Sequence, residues 1–202
     1  LLSTRLGYKN ITYAEWVARW PRWCNTIAAM NENVKNRLPE KFKNKCEVIG
    51  DLMGDTKNNK HISLSPTKKT WIALLPGSKK AKLSVGVPYF LEIADDIAKK
   101  NKNINLLIPI APTTNTNEYL YFQSNENPIS KNYASKIKKI VNLENSVFDY
   151  VLHTTKNTKI YLTKKHPCYE ILKKCNLAIT TVGANTAELA ALGLPMIVVL
   201  PT

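Results

Sequence analysis

Residues 176–201, NLAITTVGANTAELAALGLPMIVVLP, constrain the fold more than any other stretch of the chain. They parse as strand, tight polar loop, short helix, Gly-Leu-Pro turn and strand. Residues 177–180 and 196–200 are short apolar runs with β-branched members, the pattern of strands buried on both faces of a parallel sheet. Thr181 to Ala184 supply small residues and a glycine, Asn185 or Thr186 can cap the helix that follows, and Gly193 with Pro195 ends it. A loop at the C-terminal end of a parallel strand, running into a helix N-terminus, is where open α/β sheets bind anions and nucleotides. Glu188 is expected in the first turn of this helix. There it is either a carboxylate opposite the positive end of the helix dipole or a ligand group.

The rest of the chain extends the same alternation. Strands are expected at residues 10–14, 26–30 and 46–49, with a polar helix over 32–43 broken at Pro39. Trp16, Trp20 and Trp23 recur at helical spacing and read as an aromatic face packed on a sheet, or as the lining of a cleft. Residues 56–69 lack periodicity and are rich in Lys, Asn, Ser and Pro, which predicts a linker between a first domain, 1–55, and a second, 70–202. The second opens with a strand over 70–75, the loop Pro76, Gly77, Ser78, Lys79 and Lys80, and a helix to about Lys99. Its apolar stripe is Val87, Phe90, Leu91, Ala94, Ile97 and Ala98. Gly77 lets a backbone approach an anion, Ser78 and free N–H groups donate, and lysine neutralises, although the P-loop spacing is absent. A strand over 104–110, a polar loop over 112–127, a basic helix over 130–141, a strand over 159–163 and a short helix over 167–174 complete the reading. The fold class is α/β, a doubly wound Rossmann-like parallel sheet preceded by the tail of a first such domain.

Charge suggests nucleic acid at first sight, with a net +14 over 202 residues. Only four basic residues, Arg5, Arg19, Arg22 and Arg37, are arginines; the other twenty-five are lysines scattered along the chain. Base readout favours the bidentate arginine fork, so a solvated surface is the preferred reading, with an anionic membrane surface or a phosphorylated substrate behind it. Cys24, Cys46, Cys168 and Cys175 form no CxxC pair and no metal-ligand spacing, so no metal or cofactor is expected and the expected compartment is cytoplasmic. Cys168 and Cys175 are spaced to share one helix face toward the core. The chain begins LLSTRLGYKN, without an initiator methionine or secretory signal, and ends after a strand; it is expected to be a fragment cut at both ends.

The motif IALLPGSKK, the Gly50-Asp51 pair after a strand, and TTVGANTAELAALGLPMIVV, in that order, resemble the lipid A disaccharide synthase family of GT-B glycosyltransferases. That resemblance implies two Rossmann-like domains, the first here represented by its C-terminal part. It implies that Gly77, Ser78 and Lys79 border a nucleotide diphosphate together with Val182, Gly183, Ala184, Asn185 and Thr186, and that Glu188 holds the ribose hydroxyls. Trp16, Arg19 and Asp51 are implied as cleft-lining residues. The implied reaction transfers a hexosamine-like sugar from a UDP-sugar donor to a sugar or lipid-linked sugar acceptor, with inversion and without a metal. The catalytic base belongs to the part of the first domain that these residues do not cover, so the fragment alone is expected to be inactive. Peripheral contact with the inner face of the cytoplasmic membrane would follow, and nucleic acid is not an expected partner.

The chain departs from the family pattern. Lysines stand at Lys79 and Lys82 where the family has Arg and an acidic residue, Asp51 stands for a histidine, and Val182, Gly183 and Ala184 stand for SGT. A divergent relative is implied. A UDP-sugar epimerase on the same two-domain plan, and a non-catalytic Rossmann-like module that binds nucleic acid or membrane through its basic surface, are the alternatives.

Overall fold

The computed structural model describes residues 11–14, 21–52 and 69–200. The chain separates into two compact units, Leu1–Asp55 and Thr56–Thr202. Trp16 and Arg19, and nearly all of the expected linker, lie outside the described residues.

Among its described residues the first unit carries three parallel strands in the order β1 (Ile11–Ala14), β2 (Thr26–Ala29) and β3 (Cys46–Val48). Two short helices, α1 (Glu32–Asn36) and α2 (Glu40–Lys43), connect β2 to β3. The Asn31 side chain caps α1 by accepting from the Val34 N–H at 3.0 Å. Pro39 separates the helices, as its missing N–H requires. Ile27, Ala29, Val34, Leu38 and Cys46 close a small core. Trp23 lies in a 3₁₀ turn, Pro21–Trp23.

In the second unit seven strands form one sheet. These are β4 (Thr70–Leu75), β5 (Ile104–Pro109), β6 (Ile137–Asn142), β7 (Tyr150–Thr154), β8 (Lys159–Thr163), β9 (Leu177–Thr181) and β10 (Met196–Val199). Their spatial order is β10-β9-β4-β5-β8-β7-β6. The central ladder is parallel throughout. Alternate residues of each strand enter opposite faces of the sheet. On one face Ile72, Leu74, Leu106 and Ile108 pack with Leu83, Val87, Phe90, Leu91 and Ala94 of α3 (Lys80–Lys100). On the other, Trp71, Ala73, Leu75 and Leu107 pack with Ile171 and Leu172 of α5 (Tyr169–Leu172) and with Leu189 of α6 (Ala184–Ala191). Helices on both faces make the sheet doubly wound, the architecture expected from the sequence.

Four expectations fail locally. The segment 112–127 is not a plain loop: it holds α4 (Thr116–Phe122), started by a capping box of Asn115 and Glu118 and anchored by buried Tyr119 and Phe122. The basic segment 130–141 is not a helix; it holds a 3₁₀ turn, Pro128–Asn132, and then the edge strand β6. Ile137 and Ile140, three apart, fit a helical period; antiparallel pairing with β7, with a register shift between Ile137 and Lys139, makes the segment a strand instead. The sequence reading also passed over β7, which runs antiparallel to both its neighbours. Finally, β10 is not buried on both faces: Ile197 and Val198 are 51% and 45% exposed at the other edge of the sheet.

Candidate functional site

Four parallel strands, β4, β5, β8 and β9, deliver their C-terminal loops to one end of the second unit's sheet. From β4 the chain crosses to β5 on one side, while β9 occupies the other, so β4 and β9 flank the point where winding reverses. Open α/β sheets bind ligands in the crevice at such a point. Here it is a pocket of about 320 Å³.

Each wall comes from one loop. Gly77 and Ser78 follow β4, and Ala184, Asn185 and Glu188 face in from α6 after β9. Residues 110–113 follow β5, and Lys165, His166 and Tyr169 follow β8. Of the residues proposed from sequence, the structure thus brings Gly77, Ser78, Ala184, Asn185 and Glu188 into one lining. Lys79, Val182, Gly183 and Thr186 do not line it. Asp51 stands three residues past the end of β3, and the pocket is built from second-unit residues alone.

Packing explains the glycines of the β4 loop. Gly77 has φ +118°, a conformation that side chains disfavour, and a β-carbon on it would lie 2.9 Å from the Lys82 Cβ. Gly86, two turns into α3, lets the helix touch the loop itself: a β-carbon there would stand 2.3 Å from the Pro76 carbonyl oxygen.

The second loop differs from its sequence reading in two ways. Neither Asn185 nor Thr186 caps α6. Gly183 is the N-cap, and the Thr186 hydroxyl and N–H both turn back onto the Gly183 carbonyl, at 2.7 and 3.0 Å. Because α6 begins at Ala184, Glu188 falls in its second turn and cannot be a capping carboxylate. Its Oε1 accepts a long hydrogen bond, 3.3 Å, from the Tyr169 hydroxyl. This half-buried carboxylate therefore faces a pocket with acceptor capacity in hand. At the far end of α6, Gly193 (φ +66°) closes a Schellman motif in which Gly193 N–H reaches Ala190 and Leu194 N–H reaches Leu189.

Cys168 borders the same pocket, yet it is no nucleophile at neutral pH. Burial pushes its thiol up to about 12, and the Glu188 charge adds to the shift. Cys175 is raised to about 12 by burial alongside it. The two do not share a helix face as their spacing suggested: α5 spans only Tyr169–Leu172, half-buried Cys168 is its N-cap, and buried Cys175 lies beyond its end. Among the described residues no group of three His, Cys, Asp or Glu side chains is arranged to hold a metal.

Sequence reasoning missed Lys165, His166 and Tyr169, and the walls after β5. The order of strands would have found them, because HPCY begins just beyond the C-terminal end of β8. It also treated Lys82 only as a departure from a motif. In the structure the Lys82 ammonium donates to the Val182 carbonyl at 2.6 Å, tying α3 to the loop after β9.

No family model and no curated protein matches the chain. Among solved structures it is similar to a putative UDP-N-acetylglucosamine 2-epimerase from Listeria monocytogenes, with a TM-score of 0.61 and 12% identity over 99% of this chain. It is also similar to the S. aureus MnaA–UDP co-structure, with a TM-score of 0.54 and 12% identity over 88% of this chain. The chain spans about half the length of these proteins, 53% and 44% respectively. At this identity the likeness establishes the fold: GT-B-type α/β, as the sequence led us to expect. It does not single out the lipid A disaccharide synthase family.

Proposed function

We propose that this chain is the nucleotide-binding part of a UDP-sugar enzyme. The observation that carries the reading is the convergence of Gly77, Ser78, Ala184, Asn185 and Glu188 on one pocket at the C-terminal ends of parallel strands. The diphosphate lies along the N–H groups of the loops after β4 and β9, and Glu188 accepts from the ribose hydroxyls. A vicinal diol offers two donors and an ionised carboxylate two acceptor oxygens, so the pairing is strong and directional. The fold shared with the Listeria and S. aureus proteins supports the reading, since the names of both carry UDP.

The reaction we favour is glycosyl transfer of the lipid A disaccharide synthase type. An acceptor hydroxyl gives its proton to a base outside these residues and attacks the anomeric carbon of a hexosamine-like donor, the bond from that carbon to the diphosphate oxygen breaks, UDP departs, and the anomeric configuration inverts. Donors aimed at the departing diphosphate stabilise the charge that develops there. The acceptor is a lipid-linked or phosphorylated sugar, met in the cytoplasm or at the inner face of its membrane; no helix among the described residues is long and apolar enough to cross a membrane. Epimerisation of the UDP-sugar is the second reading, favoured by the likeness to the Listeria protein.

Titration of UDP into the wild-type chain and Glu188→Ala tests the ribose assignment. A loss of about 1–3 kcal/mol is expected for a charge-assisted hydrogen-bonding group. Unchanged affinity in a variant that binds UDP would remove Glu188 from the site. Incubating the whole enzyme with a UDP-N-acetylhexosamine separates the two reactions: epimeric sugar formed without acceptor marks an epimerase, and acceptor-dependent UDP release marks a transferase.

A further inference from the structure

Lys82 lies between the two loops that the nucleotide reading assigns to the diphosphate, and we propose that it, rather than Lys79, is the cation facing that group. The inference rests on the UDP reading above and adds a residue that the motif resemblance did not supply.

Three contacts locate the side chain. Its Nζ donates to the Val182 carbonyl oxygen at 2.6 Å, joining residues a hundred positions apart in sequence. A β-carbon on Gly183 would lie 3.2 Å from the same nitrogen. Its Cβ covers Gly77, where an added β-carbon would meet it at 2.9 Å. The ammonium therefore sits against the residue that begins α6 while its stem runs along the β4 loop. Gly77 and Gly183 both leave the room it occupies.

Among the described residues no carboxylate pairs with this exposed ammonium. Neither α3 nor α6 has an acidic residue in its first turn. The ion pairs among the described residues do not include Lys82, and its neighbour Lys80 is taken by Glu118 at 3.1 Å. An ammonium beside the positive end of a helix dipole raises the local potential unless an anion joins them. Val182 occupies one of its three N–H donors, leaving two for that anion. Neither lysine lines the pocket itself, but Lys82 reaches the loop after β9 through Val182, whereas Lys79 is the extended residue before α3.

The test is calorimetric titration of the 202-residue chain with UDP and, separately, uridine, in the wild type, Lys82→Met, Lys82→Gln and Lys79→Met. Gln removes the charge but keeps a donor for Val182, so it separates the cation from a neutral link between loops. The expected result is a loss of about tenfold or more in UDP affinity for both Lys82 variants. Uridine affinity should stay within about twofold of wild type, and Lys79→Met should bind both ligands within about twofold, as expected where no charged contact is lost. Equal losses for UDP and uridine, or retention of UDP by Lys82→Gln, would reduce Lys82 to a link between loops and overturn the proposal. So would a loss confined to Lys79→Met. A wild-type chain that binds no UDP would overturn the nucleotide reading itself and this inference with it.

Discussion

Replacing Gly86 by alanine sets two local effects of known sign against each other. Gly86 is in the interior of α3, where glycine is disfavoured relative to alanine by about 1 kcal/mol; in an exposed helix the substitution would stabilise. Here the new β-carbon would stand 2.3 Å from the Pro76 carbonyl oxygen and 3.0 Å from the Pro76 side chain. Real β-carbons essentially never come closer than 3.0 Å, so helix and loop must separate by about 0.7 Å, and the first obstacle is backbone rather than a side chain that could swing away. Forcing a methyl group into a packed interior costs about 1–3 kcal/mol, and this contact belongs in the upper part of that range. The net expectation is a destabilisation of about 1–2 kcal/mol, read by urea denaturation as a lower midpoint at unchanged slope. Because Pro76 leads directly into Gly77 and Ser78, the same shift should weaken UDP binding more than unfolding alone accounts for. A Gly86→Ala chain that is more stable by the propensity value, with unaltered UDP affinity, would refute the packing of α3 on the β4 loop and the role given to that packing.

Glu92 on α3 accepts from the backbone N–H groups of Ala134 and Ser135, at 3.1 and 2.8 Å, and from Lys156 at 3.0 Å. Glu92→Gln should cost about 1–3 kcal/mol, measured by denaturation at neutral pH. Burial raises the Glu92 pKa, but the Ser135 N–H and Lys156 outweigh it, leaving the group below its ordinary value. Its stabilisation is therefore complete above the ordinary carboxylate range and is lost as pH falls through the lowered pKa. The wild-type and Gln variants should converge in stability under acid, and a difference that persists there would contradict the assignment. Burial that raises the Cys168 and Cys175 thiols to about 12 predicts that iodoacetamide labels them at pH 8 only after unfolding, by mass spectrometry of digests. Rapid native labelling of Cys168 would show that the pocket wall around it opens.

What was legible in the sequence was what local pattern determines. Residues 70–75 and 159–163 are apolar, β-branched runs between turn signals, and each forms a strand over those bounds. Pro39 splits α1 from α2 because a missing N–H acts locally. What escaped depends on distant partners. Ile137 and Ile140 would lie on one face of a helix, and only pairing with β7 makes that segment an edge strand. Its exposed lysines, Lys138 and Lys139, then serve to discourage a further strand from adding there. The same distinction holds at the candidate site. Loops after β4 and β9 announce themselves by glycine, whereas His166 and Tyr169 reach the pocket only because β8 lies next to β5. Glu188 was placed one turn too early because Gly183, not Asn185 or Thr186, caps α6; the correction removes the capping explanation for that carboxylate.

The central claim, that the end of the sheet marked by Gly77 and Glu188 takes a uridine diphosphate, is tested most directly by calorimetric titration of UDP into the chain. UMP, ADP and a short single-stranded oligonucleotide serve as comparisons at two salt concentrations. The account predicts saturable UDP binding, tighter than that of UMP or ADP, with modest salt dependence. Oligonucleotide binding that falls steeply with salt, alongside no heat from UDP, would contradict it and assign the +14 charge to nucleic acid.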